Sequence, residues 1–135
     1  MNKIVLILYI SLFIFSSTAS ASKLFSDSEI NEMISEVASN YSKNLPQALD
    51  QTTILEGVFA GGNRNIVYKY KLILDNFDST ILQEFKRLVY RKHKNNFCTQ
   101  PNLAFYRTQR ITMEHNFMDN FGNYLFSIKL NKSDC

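Results

Sequence analysis

The sequence predicts an α+β domain in which an antiparallel sheet is covered mainly on one face by two helices and is closed by one disulfide. Residues 65–74 alternate in side-chain character with a two-residue period, which is typical of a strand with one buried face. Two stretches with helical periodicity, near residues 30–41 and 81–92, flank a first pair of strands, and a second pair ends the chain. The predicted order is helix, strand, strand, helix, strand, strand.

Residues 1–21 have the pattern of a secretory signal peptide that is cleaved after Ala21. Lys3 supplies a positive charge, an apolar run covers residues 4–15, and small residues occupy the cleavage site Ala19-Ser20-Ala21. The alternative is an uncleaved N-terminal anchor. We expect residues 22–135 to form a single domain, periplasmic or secreted, with no stable membrane span after cleavage.

The expected mature domain carries only a small positive charge. Of the 15 Lys and Arg residues one, Lys3, lies in the leader, whereas all 12 Asp and Glu residues lie beyond it. The resulting net charge of about +2 does not indicate a nucleic-acid partner. An aromatic content of 13% favours an ordered core over a disordered chain.

The first predicted helix begins at Ser26, which is spaced from Glu29 as in a capping box. It is expected to end before Pro46. Its apolar residues recur at helical spacing: Ile30, Met33, Ile34, Val37, Ala38 and Tyr41. A membrane-surface helix would need cations on its polar face, which instead carries glutamates, so the apolar stripe is assigned to the core.

A β-hairpin follows the first helix. Residues 52–60 form its first strand, Gly61-Gly62-Asn63-Arg64 its turn and residues 65–74 its second strand. A phosphate-binding loop would require a following helix, which this pattern does not predict.

The second helix is predicted to begin after Asp78, with an inner stripe of Ile81, Leu82, Phe85, Leu88, Val89 and Lys92. Its C-terminal half is basic. The helix dipole favours cations there, which is one explanation. The other is a partner-binding patch on this helix, extended by Arg107 and Arg110 if they fold nearby. The candidate partner-binding residues are Arg87, Arg91, Lys92 and Lys94, together with Lys69 and Lys71 on the exposed face of the hairpin.

The remaining chain is predicted to form a loop at residues 95–102 and a short helix opened by Thr99 or Pro101. A strand at residues 111–117, a turn at 119–123 and a last strand then follow. The turn resembles a calcium loop only loosely, because the terminal bidentate glutamate is missing.

Cys98 and Cys135 are the only cysteines, and in an exported chain they are predicted to form a disulfide. Closing a loop of this length stabilises a fold by roughly 3–4 kcal/mol in the chain-entropy model. The alternative, a nucleophilic Cys98, lacks a recognisable neighbouring base.

Neither histidine belongs to a recognisable catalytic or metal motif. His115 is predicted to lie on the same strand face as Met113 and Phe117, which favours a core or sheet-edge histidine over a metal ligand. His93 is assigned to the basic end of the second helix. No catalytic residue, metal ligand or cofactor is predicted.

Four short motifs resemble, in their order, small exported bacterial proteins of uncharacterised function. They are Thr53-Ile54-Leu55, Tyr68-Lys69-Tyr70, Cys98-Thr99-Gln100-Pro101 and Asp119-Asn120-Phe121-Gly122. In such proteins they correspond to a Thr-x-Leu strand, a Tyr-x-Tyr strand, a Cys-x-x-Pro segment and a C-terminal Asp-x-x-Gly hairpin. The resemblance covers most of residues 22–135 and implies no catalytic residue.

These observations predict an exported, non-catalytic protein-binding module, either an envelope accessory or an inhibitor-like protein, whose partner is another envelope or extracellular protein. One alternative is a small secreted hydrolase that uses His115 or His93 with a nearby carboxylate. Another is a carrier of a small apolar ligand bound between the sheet and the helices.

Overall fold

The computed structural model describes residues 23–74 and 76–135. The predicted signal peptide, residues 1–21, lies outside the described residues. The helices are α1 (Asp27–Ser42), α2 (Ser79–Thr99) and the short α3 (Ala104–Thr108). The strands are β1 (Gln47–Ala48), β2 (Thr53–Gly62), β3 (Asn65–Leu72), β4 (Thr112–Met118) and β5 (Tyr124–Leu130). Two 3-10 turns, Pro101–Leu103 and Lys132–Asp134, complete the description.

The predicted capping box starts α1. The backbone N–H of Glu29 donates to the Ser26 hydroxyl, and the Glu29 carboxylate accepts from the Ser26 backbone N–H at 2.8 Å. The helix buries Ile30, Ile34 and Ala38, whereas Met33 and Tyr41, which were assigned to the same stripe, stay partly exposed. The inner face of α1 is therefore narrower than its apolar pattern predicted.

The turn of the hairpin is fixed by Arg64. Asn63 and Arg64 both have positive φ, at 47° and 58°, as a two-residue hairpin turn of the favoured hand requires. The backbone cost at Arg64 is offset by its hydrogen bonds. Its guanidinium donates to Asp27 at 2.5 Å and to the Gln109 carbonyl at 2.7 Å, and its backbone N–H donates to Asn31 at 3.0 Å.

Gln109 holds the segment that precedes α1. Its side chain is almost completely buried and bonds twice to this segment, donating to the Lys23 carbonyl and accepting from the Phe25 N–H, both at 2.9 Å. No sequence pattern indicated this role. Residues 23–26 are consequently part of the folded domain.

The sheet has five strands in the order β1-β2-β3-β4-β5. Neighbouring strands are antiparallel except for the central pair, in which β3 and β4 run parallel, with Tyr68 opposite His115. The α+β class, the order of the main elements and a mostly antiparallel sheet are confirmed, and the parallel pair is the one departure from the predicted antiparallel pairing. The reason is that α2 returns the chain to the starting end of β3, as in a strand–helix–strand crossover.

Both long helices lie on one face of the sheet, as predicted. Side chains along β3 alternate between buried and half-buried, and Tyr68 and Tyr70 lie on the buried side. The ring of Tyr68 meets Tyr41 of α1, and the ring of Tyr70 meets His93 of α2. The opposite face of the sheet is open to solvent and carries paired charges such as Lys71 with Glu56 at 3.2 Å.

The second helix is longer than predicted and is rotated about its axis. It runs to Thr99, through most of the predicted loop at 95–102. Its inward residues are Leu82, Phe85, Val89, His93 and Phe97, while Ile81 and Leu88, assigned to the inner stripe, are 52% and 50% exposed. The inward set continues at four-residue steps through a histidine, which an apolar pattern does not register.

The predicted disulfide is confirmed. Cys98 and Cys135 are bonded across 37 positions and join the end of α2 to the C-terminus. Within the described residues no helix is both long enough and apolar enough to cross a membrane.

Candidate functional site

Two grooves flank α2, one on each side of the helix. The first, the apolar cleft, lies between α2 and the β1–β2 segment. The second, the edge groove, lies between α2 and the outermost strand, β5. Their lining residues differ, and so do their chemical characters.

The apolar cleft has a volume of about 360 Å³. Phe85, Leu88 and Val89 of α2 form one wall, and Leu49, Thr52 and Thr53 form the other. Leu49 and Leu88 are each 50% exposed, so two large apolar side chains stand at its mouth. The charged groups in the lining are Asp50 and Lys92, one of each sign.

The floor of the cleft is a cluster of aromatic and histidine rings, of which His93, Tyr70 and Phe117 line the cleft directly. The His93 ring lies 4.2 Å from the His115 ring, centre to centre. Behind it, His115 Nδ1 is 2.9 Å from the Tyr70 hydroxyl, and the Tyr68 ring stacks on His115 at 5.2 Å. The cluster is built by alternate residues of two neighbouring parallel strands and by one inward position of α2.

Burial keeps both histidines neutral. Desolvation first, and the neighbouring His93 second, lower the pKa of His115 to about 3. Desolvation and then the charge of Lys92 lower the pKa of His93 to about 4. Burial also raises the pKa of Tyr70, so that its hydroxyl stays protonated and can donate to His115.

Among the described residues no hydrogen bond joins either histidine to a carboxylate or to a Ser or Thr hydroxyl, although Asp50, Thr52 and Thr53 line the same cleft as His93. The hydrolase alternative needs a carboxylate and a hydroxyl nucleophile beside His115 or His93. Among the hydrogen bonds of the described residues, the side-chain partner of His115 is the phenol of Tyr70. The prediction of a satisfied core histidine describes His115 well, whereas His93 points into the core rather than belonging to the solvated basic end of α2.

The edge groove has a volume of about 400 Å³. From α2 it is lined by Gln83, Lys86, Arg87 and Tyr90, and from β5 by Ser127, Ile128 and Lys129. Three of these seven side chains are cationic. The edge groove therefore combines a basic wall with the backbone of an outermost strand.

The structure separates the predicted partner-binding cations into two surfaces. Those on α2 lie on the helix-covered side, where Arg87 pairs with Glu84, Lys92 lines the apolar cleft and Lys94 sits 5.9 Å from the centre of the Tyr90 ring. Arg91 is exposed on the same helix. Lys69 and Lys71 lie on the open face of the sheet, where Lys71 pairs with Glu56.

Arg107 does not extend the basic patch. Its guanidinium donates to the carbonyls of Phe97, at 2.5 Å, and Gln100, at 3.0 Å, and so caps the end of α2. Arg110 is exposed, with a positive φ of 54°.

The Asp119 turn is closed by hydrogen bonds within the chain. The Asp119 carboxylate accepts from the backbone N–H groups of Phe121 and Asn123, each at 2.8 Å. In the part of the chain that the structure describes, no three His, Cys, Asp or Glu residues are grouped so as to hold a metal ion.

The fold defined above is a five-stranded sheet with two long helices on one face. No protein-family model and no curated protein matches the chain. Solved structures with the same fold include PA3611, a protein from Pseudomonas aeruginosa thought to be secreted. It has a TM-score of 0.68 and 13% identity over 81% of this chain and 95% of that chain.

Two pilotins of type II secretion systems also share the fold. EpsS from Vibrio vulnificus has a TM-score of 0.64 and AspS from Vibrio cholerae one of 0.61. Each is 14% identical and covers 81% of this chain and 94% of its own. At these identities the similarity establishes a common fold.

Proposed function

We propose that this chain is an exported accessory protein of the bacterial cell envelope that binds a partner protein through the apolar cleft. The fold shared with two secretion-system pilotins and with a protein thought to be secreted supports an envelope or secreted location. The proposed role is that of an accessory to an envelope secretion machinery. The predicted signal peptide and the disulfide agree with export.

The observation that carries the proposal is the exposed apolar flank of α2. This helix has 21 residues, of which Phe97 alone is fully buried. Leu88 lines the cleft with Leu49 on the opposite wall, and Ile81, seven positions before Leu88 and therefore on the same side of the helix, is 52% exposed. An amphipathic partner helix with apolar anchors at i and i+7 has the chemistry to fill such a cleft.

The cations near the cleft favour a partner segment that also carries acidic side chains. Lys92 lies in the cleft and Arg91 beside it on α2. Charges at the rim of an interface mainly accelerate association and select the orientation, whereas the apolar centre supplies most of the affinity.

The test is affinity capture from bacterial envelope extract with the oxidised protein, residues 22–135, as bait, followed by mass spectrometry. Leu88→Asp places a charge at the mouth of the cleft. Leu24→Asp is the matched control, because Leu24 is similarly exposed, at 45%, and does not line the cleft.

We expect one envelope protein to be recovered stoichiometrically by wild type and by the Leu24→Asp variant, with recovery about tenfold lower for Leu88→Asp. Equal recovery by all three baits, or no recovery by a folded wild-type bait, would contradict the proposal. Circular dichroism confirms that each bait is folded.

A second variant tests the basic residues of α2. Alanine at Arg87, Arg91 and Lys94 together is expected to weaken capture by reducing the attraction for acidic side chains, and to leave the fold intact, since Arg87 and Arg91 are exposed and Lys94 is partly exposed. Unchanged capture would remove this basic patch from the proposed interface.

The carrier alternative is favoured by one observation, the volume of the apolar cleft, which falls within the range of small-ligand sites. Titration with a fluorescent fatty acid tests it. Saturable binding that is lost in Leu88→Asp, without capture of any protein, would support a carrier instead of a protein-binding module.

A further inference from the structure

The outer edge of β5 offers an unpaired row of backbone hydrogen-bonding groups. The strand order places β5 at one side of the sheet, where it pairs with β4 alone. Among the described residues, no other backbone or side-chain group hydrogen bonds to the backbone of residues 124–130. An edge of this kind is a ready template for one more strand.

The edge groove follows this free edge. Ser127, Ile128 and Lys129 are consecutive, yet all three line the groove. Successive side chains of a strand point to opposite faces of the sheet, so a groove that touches three in a row runs along the strand's edge. On its other side the groove is bounded by α2, through Gln83, Lys86, Arg87 and Tyr90.

The charges around the groove select an acidic occupant. Lys86, Arg91 and Lys94 of α2 form no salt bridge among the described residues. Arg87 is paired with Glu84 through two hydrogen bonds, at 3.0 and 2.5 Å, and Lys129 lies 3.9 Å from Glu114. Cations outnumber carboxylates at the groove, and an anionic segment would meet them on entry.

We propose that the edge groove is a second protein-binding site, in which an extended acidic segment of a partner adds to β5 as a sixth strand. The backbone of the segment would pair with the free edge, and its carboxylates, which lie on one face of the added strand, would meet Lys86 and Arg87 of α2. This is strand addition between an edge strand and a helix. β5 has seven residues, which sets the length of the segment.

Lysine beside a free edge has a competing explanation. Natural sheets place lysine at edge strands to prevent strand addition, and Lys129 suits that role. The cations of α2 do not belong to the strand, however, and they border the groove from the opposite side. The two explanations differ in one measurable property. An edge protected against strand addition does not pair with an acidic strand, whereas a binding edge does.

The probe is an acetylated, amidated heptapeptide that alternates glutamate and valine, titrated into the 15N-labelled protein, residues 22–135. One control peptide carries an N-methyl group on every residue, which removes the hydrogen-bond donors from both of its edges. A second control replaces glutamate with lysine. Chemical shifts and amide hydrogen exchange locate the bound peptide.

We expect saturable shifts and slowed amide exchange confined to residues 124–130 and the facing side of α2. Both control peptides should fail to bind. Lys86→Glu should weaken binding about fivefold to tenfold, whereas Lys43→Glu, the same charge change at the far end of α1, should alter it less than twofold. Leu88→Asp should leave peptide binding unchanged, so the proposal for the edge groove and the proposal for the apolar cleft can be contradicted independently.

Several results would overturn the proposal. Equal binding of the N-methylated peptide would show attraction by charge without strand pairing. Protection of β2 instead of β5 would move the site to the other edge of the sheet. Absence of binding at millimolar peptide would show that the edge is protected against strand addition. Dimerisation of the peptide-free protein through β5 would identify a second copy of the chain as the occupant.

Discussion

His93 and His115 show how two residues with unremarkable sequence surroundings become the centre of a fold. His93 stands among Arg91, Lys92 and Lys94, a context that suggests a solvated basic surface. Helical geometry instead turns it inward, because it continues the series Phe85, Val89 at four-residue steps. His115 is buried and His93 half-buried, and the two rings lie close together and are neutral, so their energetic effect depends on pH.

Stability is expected to fall on acidification between about pH 6.5 and pH 5. The folded pKa of both histidines is lowered, to about 4 and about 3, whereas unfolding restores an ordinary value near 6.5. Below pH 6.5 the unfolded chain therefore binds more protons than the folded one, and stability decreases as pH decreases. The stability that depends on the neutral histidines is fully present above pH 6.5. Below pH 6.5 each histidine contributes up to about 1.4 kcal/mol per pH unit to the fall in the free energy of unfolding.

Urea unfolding at intervals from pH 8 to pH 5 measures this slope. The range ends at pH 5 because carboxylates begin to titrate below it. His93→Phe keeps a ring of similar shape at the position and should reduce the slope by about half. A slope unchanged by that substitution would contradict burial of a neutral His93.

The elements divide into those whose ends are set locally and those whose orientation is set by packing. The start of α1 is local, because Ser26 and Glu29 lie three positions apart and satisfy each other's backbone groups. The start of α2 is local as well, since Asp78 accepts from the Ile81 N–H at 2.8 Å. The inward face of α2, in contrast, is decided by the sheet beneath it.

Ser26→Ala is expected to lower the free energy of unfolding by about 1 kcal/mol, because the Glu29 N–H loses its acceptor. Ser28→Ala is the matched control. Ser28 is an exposed residue in the first turn of α1, so its replacement should have little effect or stabilise slightly. Urea denaturation of both variants measures the difference. Equal losses would mean that the cap contributes nothing.

The parallel pairing of β3 with β4 is an element-scale feature that follows from the length of the connection. Between them the chain forms a helix of 21 residues, long enough to cross the sheet and bring the next strand back in the same direction. Strand–helix–strand order was visible in the sequence. The pairing was missed because the neighbouring hairpins, whose short turns are evident, suggested antiparallel contacts throughout.

At the scale of the whole molecule, the disulfide ties the C-terminus to the end of α2. Cys98→Ser with Cys135→Ser should lower stability by about 4 kcal/mol in the chain-entropy model for a closed loop of 37 positions. Urea midpoints of the oxidised wild type and the double variant at one pH test this. Indistinguishable midpoints would show that the bond constrains an already ordered region.

The whole molecule also determines where binding surfaces arise. One face of the sheet is covered by α1 and α2, which leaves the flanks of α2 as the boundaries of two grooves. The predicted basic residues of α2 lie beside those grooves, whereas Lys69 and Lys71 lie across the sheet from them. Whether any of these cations contacts a partner stays a prediction.

The sequence by itself determined the α+β class, the capping box, the hairpin turn, the order of the long elements and the pairing of the two cysteines. Most of these features depend on residues close in the chain. The disulfide depends instead on the presence of two cysteines, which can pair in only one way. Tertiary structure decided the parallel centre of the sheet, the rotation of α2, the inward position of His93 and the anchoring of residues 23–26 by Gln109. Each of these depends on contacts between distant residues, whose energies no local pattern records.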